Sequence, residues 1–370
     1  MADSSIPVRQ FVHSSIRKFM DLRLVIQLVV IGLTFFMLIN ASALLVLAER
    51  KIMGFMQQRY GPYLVGPHGA LQPLADILKL LFKEELRPKG ADKWLFTLAP
   101  ILSVTAAFAA FATVPWGAQT TLFGLLDTPI KLGVADVNVG LLVIFAITSM
   151  GVYGIVLAGW SSNSKYSLFG GLRASAQMIS YELSYATSLA AVVMLAGSLS
   201  VREIVDSQAG SWFGILSHWW IFVQPVGFIV YAIAGVAETN RAPFDFPEAE
   251  QELVAGYNTE YSSVRFALFP QAEYINMTTM SAVATDLYLG GWHGLLPIRT
   301  PIDPLIEQYG LGWLVFLAKV SGFLFFYIWM RWTLPRYRYD QLMHFGWKVL
   351  LPVSVVNLIA TAGIWLYFNG

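Results

Sequence analysis

The chain has 370 residues, 56% of them hydrophobic and only 13% charged, with a formal net charge of +1 and no cysteine. Ordinary soluble domains carry about 25% charged residues, so this composition belongs to an integral membrane protein, and no nucleic acid is expected among its partners. Without cysteine there is no iron–sulfur ligation and no thiolate metal site.

Runs of roughly 20 apolar residues cross a bilayer core as helices. Eight runs are read here, at about 24–48, 94–114, 139–159, 174–196, 215–236, 263–284, 311–330 and 345–367. The expected fold is an all-α polytopic membrane protein with eight transmembrane helices and an amphipathic helix on the cytoplasmic side. Residues 1–21 form a tail with no assignment, and 22–370 read as one membrane domain. The first run is long enough to tilt or to extend past the bilayer. Ala41-Ser42-Ala43 inside it resembles a cleavage site, but an apolar stretch of this length suits a span better than a signal peptide.

The loop between the first two runs is not featureless. Over 70–83, Leu71, Leu74, Leu78, Leu81 and Phe82 recur at helical spacing, while Gln72, Asp76, Lys79 and Lys83 take the other face. Gly66-Pro67 and Gly69 precede this segment and Arg87-Pro88 ends it, as expected of a short interfacial helix. If that helix roofs a cavity between spans, Asp76 turns inward; the plainer alternative is a helix resting on headgroups.

The sixth run carries Arg265, Gln271, Glu273, Asn276, Thr278 and Thr279. Removing it would carry Arg331, Arg336, Arg338 and Lys348 to the outside, against the retention of Lys and Arg on the cytoplasmic side. It therefore counts as a span whose polar face looks at protein or water. Loops after the odd-numbered spans hold most of the basic residues, whereas the opposite loops hold Lys131, Arg202 and Arg299. Both termini are thus expected on the periplasmic side, although Arg9, Arg17, Lys18 and Arg23 in the tail run against this. All twelve tryptophans fall near span ends, the aromatic belt of a membrane protein.

Charges inside spans are costly, about 2.5–3.5 kcal/mol each at a helix centre, and mark ion or proton paths. The chain has Glu182, Glu273 and Lys319 in spans and Glu49 at the inner end of the first. Structural pairing across helices would explain them, but two buried glutamates on different spans favour a proton relay. His13, His68, His218, His293 and His344 sit in tails or loops, so no pair on facing spans could hold a haem. There is no nucleotide loop and no dinucleotide fingerprint. The chain conducts, binds or couples; it does not carry electrons itself.

After the fifth run comes Glu238-Thr-Asn-Arg-Ala-Pro-Phe-Asp-Phe-Pro-Glu-Ala-Glu-Gln-Glu252, and from Glu238 to Arg265 six acids face two arginines. Carboxylates this close cannot all ionise freely and titrate as a group. A solvated acidic loop would not interleave Pro243, Phe244, Phe246 and Pro247, and Arg241 supplies an internal counter-charge. On the same side lie Glu49-Arg50-Lys51, Arg59, Arg331, Arg336, Arg338 and Asp340. Arginines at the rim of a cavity, with Met53, Phe55, Met56 and Phe244 beside them, would suit a long apolar molecule with a polar head.

Glu49-Arg-Lys-Ile-Met-Gly-Phe-Met-Gln-Gln-Arg-Tyr-Gly-Pro, Gln72-Pro-Leu-Ala-Asp-Ile-Leu-Lys, Ala237-Glu-Thr-Asn-Arg-Ala-Pro-Phe-Asp, Glu248-Ala-Glu-Gln-Glu-Leu-Val-Ala-Gly-Tyr-Asn-Thr-Glu-Tyr and Pro335-Arg-Tyr-Arg-Tyr-Asp-Gln-Leu-Met together resemble one family. It is that of the H-type subunit of NADH-quinone oxidoreductase (respiratory complex I) and of mitochondrial NADH dehydrogenase subunit 1. The likeness runs from about residue 22 to the end.

It implies an eight-span subunit at the junction with the peripheral arm, with the quinone tunnel lined by Arg50, Arg59, Asp76, Arg241, Phe244 and Arg331. Asp245, Glu248, Glu250, Glu252 and Glu260 would sense quinone reduction. Glu182 and Glu273 would carry the charge path inward, with Glu49 and Asp340 among the coupling groups. Ubiquinone or menaquinone would be substrate, while the iron–sulfur clusters and FMN would belong to partner subunits of the peripheral arm. Neighbouring small membrane subunits and lipid complete the expected partners. The setting implied is the bacterial plasma membrane, with the mitochondrial inner membrane also open. Two other readings stand beside this one, a related membrane subunit of an energy-converting hydrogenase and a stand-alone cation/proton antiporter. The lack of visible inverted repeats weighs against the antiporter.

Overall fold

The computed structural model describes residues 6–120, 130–212, 214, 216–246, 254–298, 300 and 303–369. Its helices are α1 (Ile6–Met56), α2 (Gln72–Phe82), α3 (Lys93–Ala112), α4 (Gly140–Ser161), α5 (Lys165–Ala196), α6 (Val201–Asp206), α7 (Pro225–Glu238), α8 (Ser263–Tyr288), α9 (Asp303–Gln308), α10 (Gly312–Thr333), α11 (Tyr339–Phe345) and α12 (Leu351–Asn369). Strand is confined to two antiparallel hairpins among the described residues, Gln119–Thr120 with Ile130–Lys131 and Ser211–Trp212 with Leu216–Ser217.

Among the described residues, six helical segments are long and apolar enough to cross a membrane: Leu24–Met56, α3, α4, α5, α10 and Tyr339–Phe368. The protein is therefore an all-α multi-pass membrane protein, as its composition requires. Helix α7 is apolar but only 14 residues long. Helix α8 has 26 residues, enough to cross, but too many polar ones for hydropathy to pick out.

The polar residues of α8 face protein. Thr279, Ser281, Thr285 and Asp286 are 0% exposed, and α8 packs against α1, α2, α3, α6, α7 and α10. Thr278, Thr279, Ser281 and Thr285 each donate to the carbonyl four residues earlier. Hydroxyls satisfied within the helix are what a membrane interior demands, so α8 is the buried axis of the bundle.

Several boundaries differ from the hydropathy reading. Hydropathy starts the fifth run at 215, yet α7 starts at Pro225, because the chain before it is folded into the second hairpin and a 3-10 turn at Trp220–Phe222. It starts the fourth at 174, but α5 begins at Lys165; small and polar residues lower hydropathy without breaking a helix. Asp92 caps α3, accepting from the Trp94 and Leu95 amides at 3.0 and 3.2 Å, and Gly197 ends α5 in the left-handed region at φ 70°, a conformation glycine adopts without penalty.

Helix α2 lies where the sequence predicts the interfacial helix. Leu74, Ile77, Leu78, Leu81 and Phe82 are exposed on it, while Asp76 bonds back to α1.

Helices α4 and α5 cross on small residues, as membrane helices do when packing rather than water drives association. Gly159 meets the Gly171 backbone, and Gly170 lies against the 3-10 turn Gly256–Asn258. A Cβ at Gly170 would stand 2.6 Å from the Tyr257 nitrogen and 2.7 Å from the Gly256 Cα. Gly170→Ala is expected to cost about 1–3 kcal/mol through overpacking and to lower Tm in detergent. An unchanged Tm would mean that this contact is not tight.

Candidate functional site: a buried charge network

The site begins with a carboxylate carried near the C-terminal end of α1. Glu49 is 5% exposed on α1. An isolated buried carboxylate is prohibitively costly and must find partners. It accepts from the Tyr274 hydroxyl of α8 at 2.6 Å and pairs closely with Arg331 in the last turn of α10. Arg241, from the segment after α7, brings its Nη1 to 3.5 Å from the Glu49 oxygen that Tyr274 also holds, while Arg331 meets the other one. One carboxylate thus ties together four stretches far apart in sequence.

Arg241 is the other hub. It is 6% exposed, its guanidinium lies 4.3 Å from the centroid of the Tyr274 ring, and its Nη2 is 3.7 Å from Glu273. Burial works against its charge, but the Tyr274 phenol and the Glu273 and Glu49 carboxylates outweigh burial and hold it well above its ordinary pKa. Glu273 also accepts from the Tyr257 hydroxyl at 3.3 Å. Neighbours on α8, Glu273 and Tyr274 point about 100° apart around the axis. Both therefore reach Arg241, but only Tyr274 reaches Glu49.

The backbone that places Arg241 is pinned from α5. The Gln177 amide donates to the carbonyls of Ala237 and Phe244, both at 2.8 Å, so one side chain spans the turn. Asn240 takes φ 51°, a left-handed conformation that asparagine tolerates, and lets the chain double back off α7. Phe244 and Phe246 are buried; Phe244 stacks on Tyr337 at 5.7 Å and Phe246 meets Tyr339 edge-on. Asp245 approaches Arg336 at 3.5 Å. This part of the acidic segment is clamped against the α10–α11 connection, not solvated.

Beyond Glu273 lies a void of about 20 Å³ lined by Glu238, Asn240, Tyr257, Glu273 and Asn276, room for about one water. Glu238, the last residue of α7, is 7% exposed and one of its oxygens has no hydrogen-bond partner. Glu182 of α5 is the charge that acts on it, and Glu182 itself takes a short hydrogen bond from Ser149 of α4. Carboxyl groups therefore run from Glu49 through Glu273 and Glu238 to Glu182, with Arg241 inserted near the start.

The other predicted residues are distributed as follows. Arg50 pairs with Asp76 at 2.6 Å, joining α1 to α2 in a half-exposed bridge, and Lys79 stands 3.7 Å from the same carboxylate. Arg59 is exposed and held by Gln57. Glu260 is partly exposed. Asp340 is exposed and pairs with Arg338 beside it, away from the buried network. Glu248, Glu250 and Glu252 lie outside the described residues. Among the described residues, no group of three or more His, Asp or Glu side chains is placed to hold a metal ion.

Sequence reading gave no role to Glu238, Tyr274, Tyr257, Gln177 or Asn240. Glu238 could have been found as an acid closing an apolar run. The rest carry no signal in one dimension, because their partners are 16 to 225 residues away.

Against known proteins, the profile of the family described as NADH dehydrogenase matches residues 28–362. The H-type subunit 1 of NADH-quinone oxidoreductase from Geobacter metallireducens is 51% identical over 343 residues, covering 93% of this chain and 97% of the relative. The H-type subunit 2 from Geobacter sulfurreducens is 50% identical, covering 91% and 95%. Its namesake from Koribacter versatilis is 50% identical, covering 92% and 96%.

Removing one partner of a buried ion pair costs about 3–5 kcal/mol, because the other charge is stranded. Glu49→Gln is therefore expected to lower Tm sharply, and Glu49→Gln with Arg331→Gln to recover part of the loss. If the single variant melts with the wild type, Glu49 does not organise the network.

Proposed function

The chain belongs to the NADH dehydrogenase family, and on that premise we propose that it is the H-type membrane subunit of a proton-pumping NADH-quinone oxidoreductase. It would border the quinone-binding tunnel and begin the charge path that couples quinone reduction to proton translocation. The observation that carries this reading is Arg241, buried between Glu49 and Glu273 at the head of a line of carboxyl groups. A cation so placed is poised to pass a charge change from one end to the other, because it pairs with both carboxylates.

In this reading the quinone is a substrate, ubiquinone or menaquinone, and the chain contributes no redox group. Arg50, Arg59, Asp76, Arg241, Phe244 and Arg331 would border the quinone. The guanidinium groups offer donors for a polar head that gains negative charge on reduction, and Phe244 supplies an aromatic face. Burial of Phe244 and pairing of Arg331 with Glu49 mean that quinone chemistry would act on the network through these two residues. Asp245, Glu248, Glu250, Glu252 and Glu260 would respond to the change, Asp340 would add charge at the rim, and Glu273, Glu238 and Glu182 would take it into the membrane.

The electrons would come from iron–sulfur clusters and FMN in partner subunits of the peripheral arm, with small membrane subunits alongside. Eight crossings, including α7 and α8, would place both termini on the periplasmic face of a bacterial plasma membrane.

Glu273→Gln and Glu238→Gln are expected to cut quinone-linked turnover by a factor on the order of 10², as when a proton-transfer group is lost. Glu248→Gln and Glu252→Gln are expected to slow it as well. Electron transfer from NADH to an artificial acceptor should stay at wild-type level in all four. Loss of both activities would indicate failed assembly, and normal quinone reduction with normal pumping would remove the residue from the path.

A further inference from the structure

We infer that Asp286 is a second protonatable site, separate from the Glu49 network, and that it communicates with the opposite face of the membrane through a cavity bordered by Arg202. Asp286 lies on the same helix as Glu273 but about 20 Å along its axis, at 1.5 Å per residue. It is 0% exposed, and neither carboxyl oxygen has a hydrogen-bond partner. Such a group is costly when ionised, so its charge is set by whatever cations stand near it.

Two do. Lys319 of α10 acts on Asp286 electrostatically but does not hydrogen-bond to it. Its ammonium donates instead to the carbonyls of Leu289, Gly291 and His293 at 2.6, 3.0 and 2.7 Å. An ammonium has three protons, so none is left for the carboxylate. Lys319 therefore pins the turn that follows α8 while leaving the Asp286 oxygens bare. Arg202 of α6, 8% exposed, is the second cation acting on Asp286.

Arg202 also borders a cavity that Asp286 does not itself line, so exchange between Asp286 and water would pass the guanidinium. Its Nε is 3.6 Å from Asp136, which pairs with Lys131 at 2.5 Å. Arg202, Asp136 and Lys131 share the wall of a cavity of about 250 Å³ between the first hairpin and α6. The remaining charges nearby are Asp206, 3.8 Å from His293, and Asp303, which acts on Lys319. A hydronium ion from this cavity would protonate an Asp286 oxygen, its own O–H bond breaking as the carboxyl O–H bond forms and a water molecule being left behind. The Asp286–Lys319 pair would then titrate as a unit.

This inference rests on the proposed coupling role only for its use in turnover; protonation itself is tested without it. The protein, with its native partners in oriented membrane vesicles, is examined by infrared difference spectroscopy while the pH of one compartment is stepped. A buried carboxyl band should follow the pH on the side of the first hairpin, vanish in Asp286→Asn and shift in Asp286→Glu. Arg202→Gln should move its midpoint by about one pH unit. A band unaltered in Asp286→Glu, or one that follows only the opposite compartment, overturns the inference, and the Glu variant decides it even if the Asn variant does not accumulate. Quinone reduction by the same wild-type vesicles is measured in parallel. Its absence would count against the proposed function and leave the infrared result standing.

Discussion

The Glu49 carboxylate is the constraint on which one end of the bundle depends. Shielded from water, it is tolerable only if cations and donors come to it. Arg241, Arg331 and Tyr274 do so from three separate segments. Satisfying one charge therefore fixes the mutual positions of α1, α8, α10 and the segment after α7. That segment in turn begins the acidic stretch, so the position of Asp245, its first acid after Arg241, follows from the pairing of Glu49.

The same electrostatic requirement makes the network responsive. Tightly packed apolar cores resist small changes, but groups joined by charge in a poorly screened interior feel one another strongly. Arg241 has no conservative replacement here. A lysine would offer a point charge instead of a planar fork and could not hold Glu49 and Glu273 while lying over the Tyr274 ring. The apolar clamp formed by Phe244, Phe246, Tyr337 and Tyr339 holds the surrounding backbone against the α10–α11 connection.

Helix α8 is where the two ends of the membrane domain meet. It carries Glu273 and Tyr274 at one end and Asp286 at the other, with hydroxyl residues between them that bond within the helix. Its low hydropathy follows from this position. Surrounded by other helices rather than by lipid, it can hold polar side chains at membrane depth. Lys319 works the same way at the other end, satisfying the carbonyls of Leu289 and Gly291 just past α8 and leaving the nearby carboxyl unbonded.

The membrane class, the helical runs, the amphipathic segment and the family motifs were legible in the sequence, because bilayer thickness and backbone hydrogen bonding impose a one-dimensional pattern. The sequence also marked Glu49, Glu182, Arg241, Glu273 and Arg331 as charges needing an explanation. Tertiary structure alone decided that four of these five form one contact network, that Gln177 pins the turn, and that Glu238 faces the void beside Glu273. Such pairings follow from which helix faces meet. Hydropathy reports how much apolar surface a segment has; it does not report the direction in which a charge points.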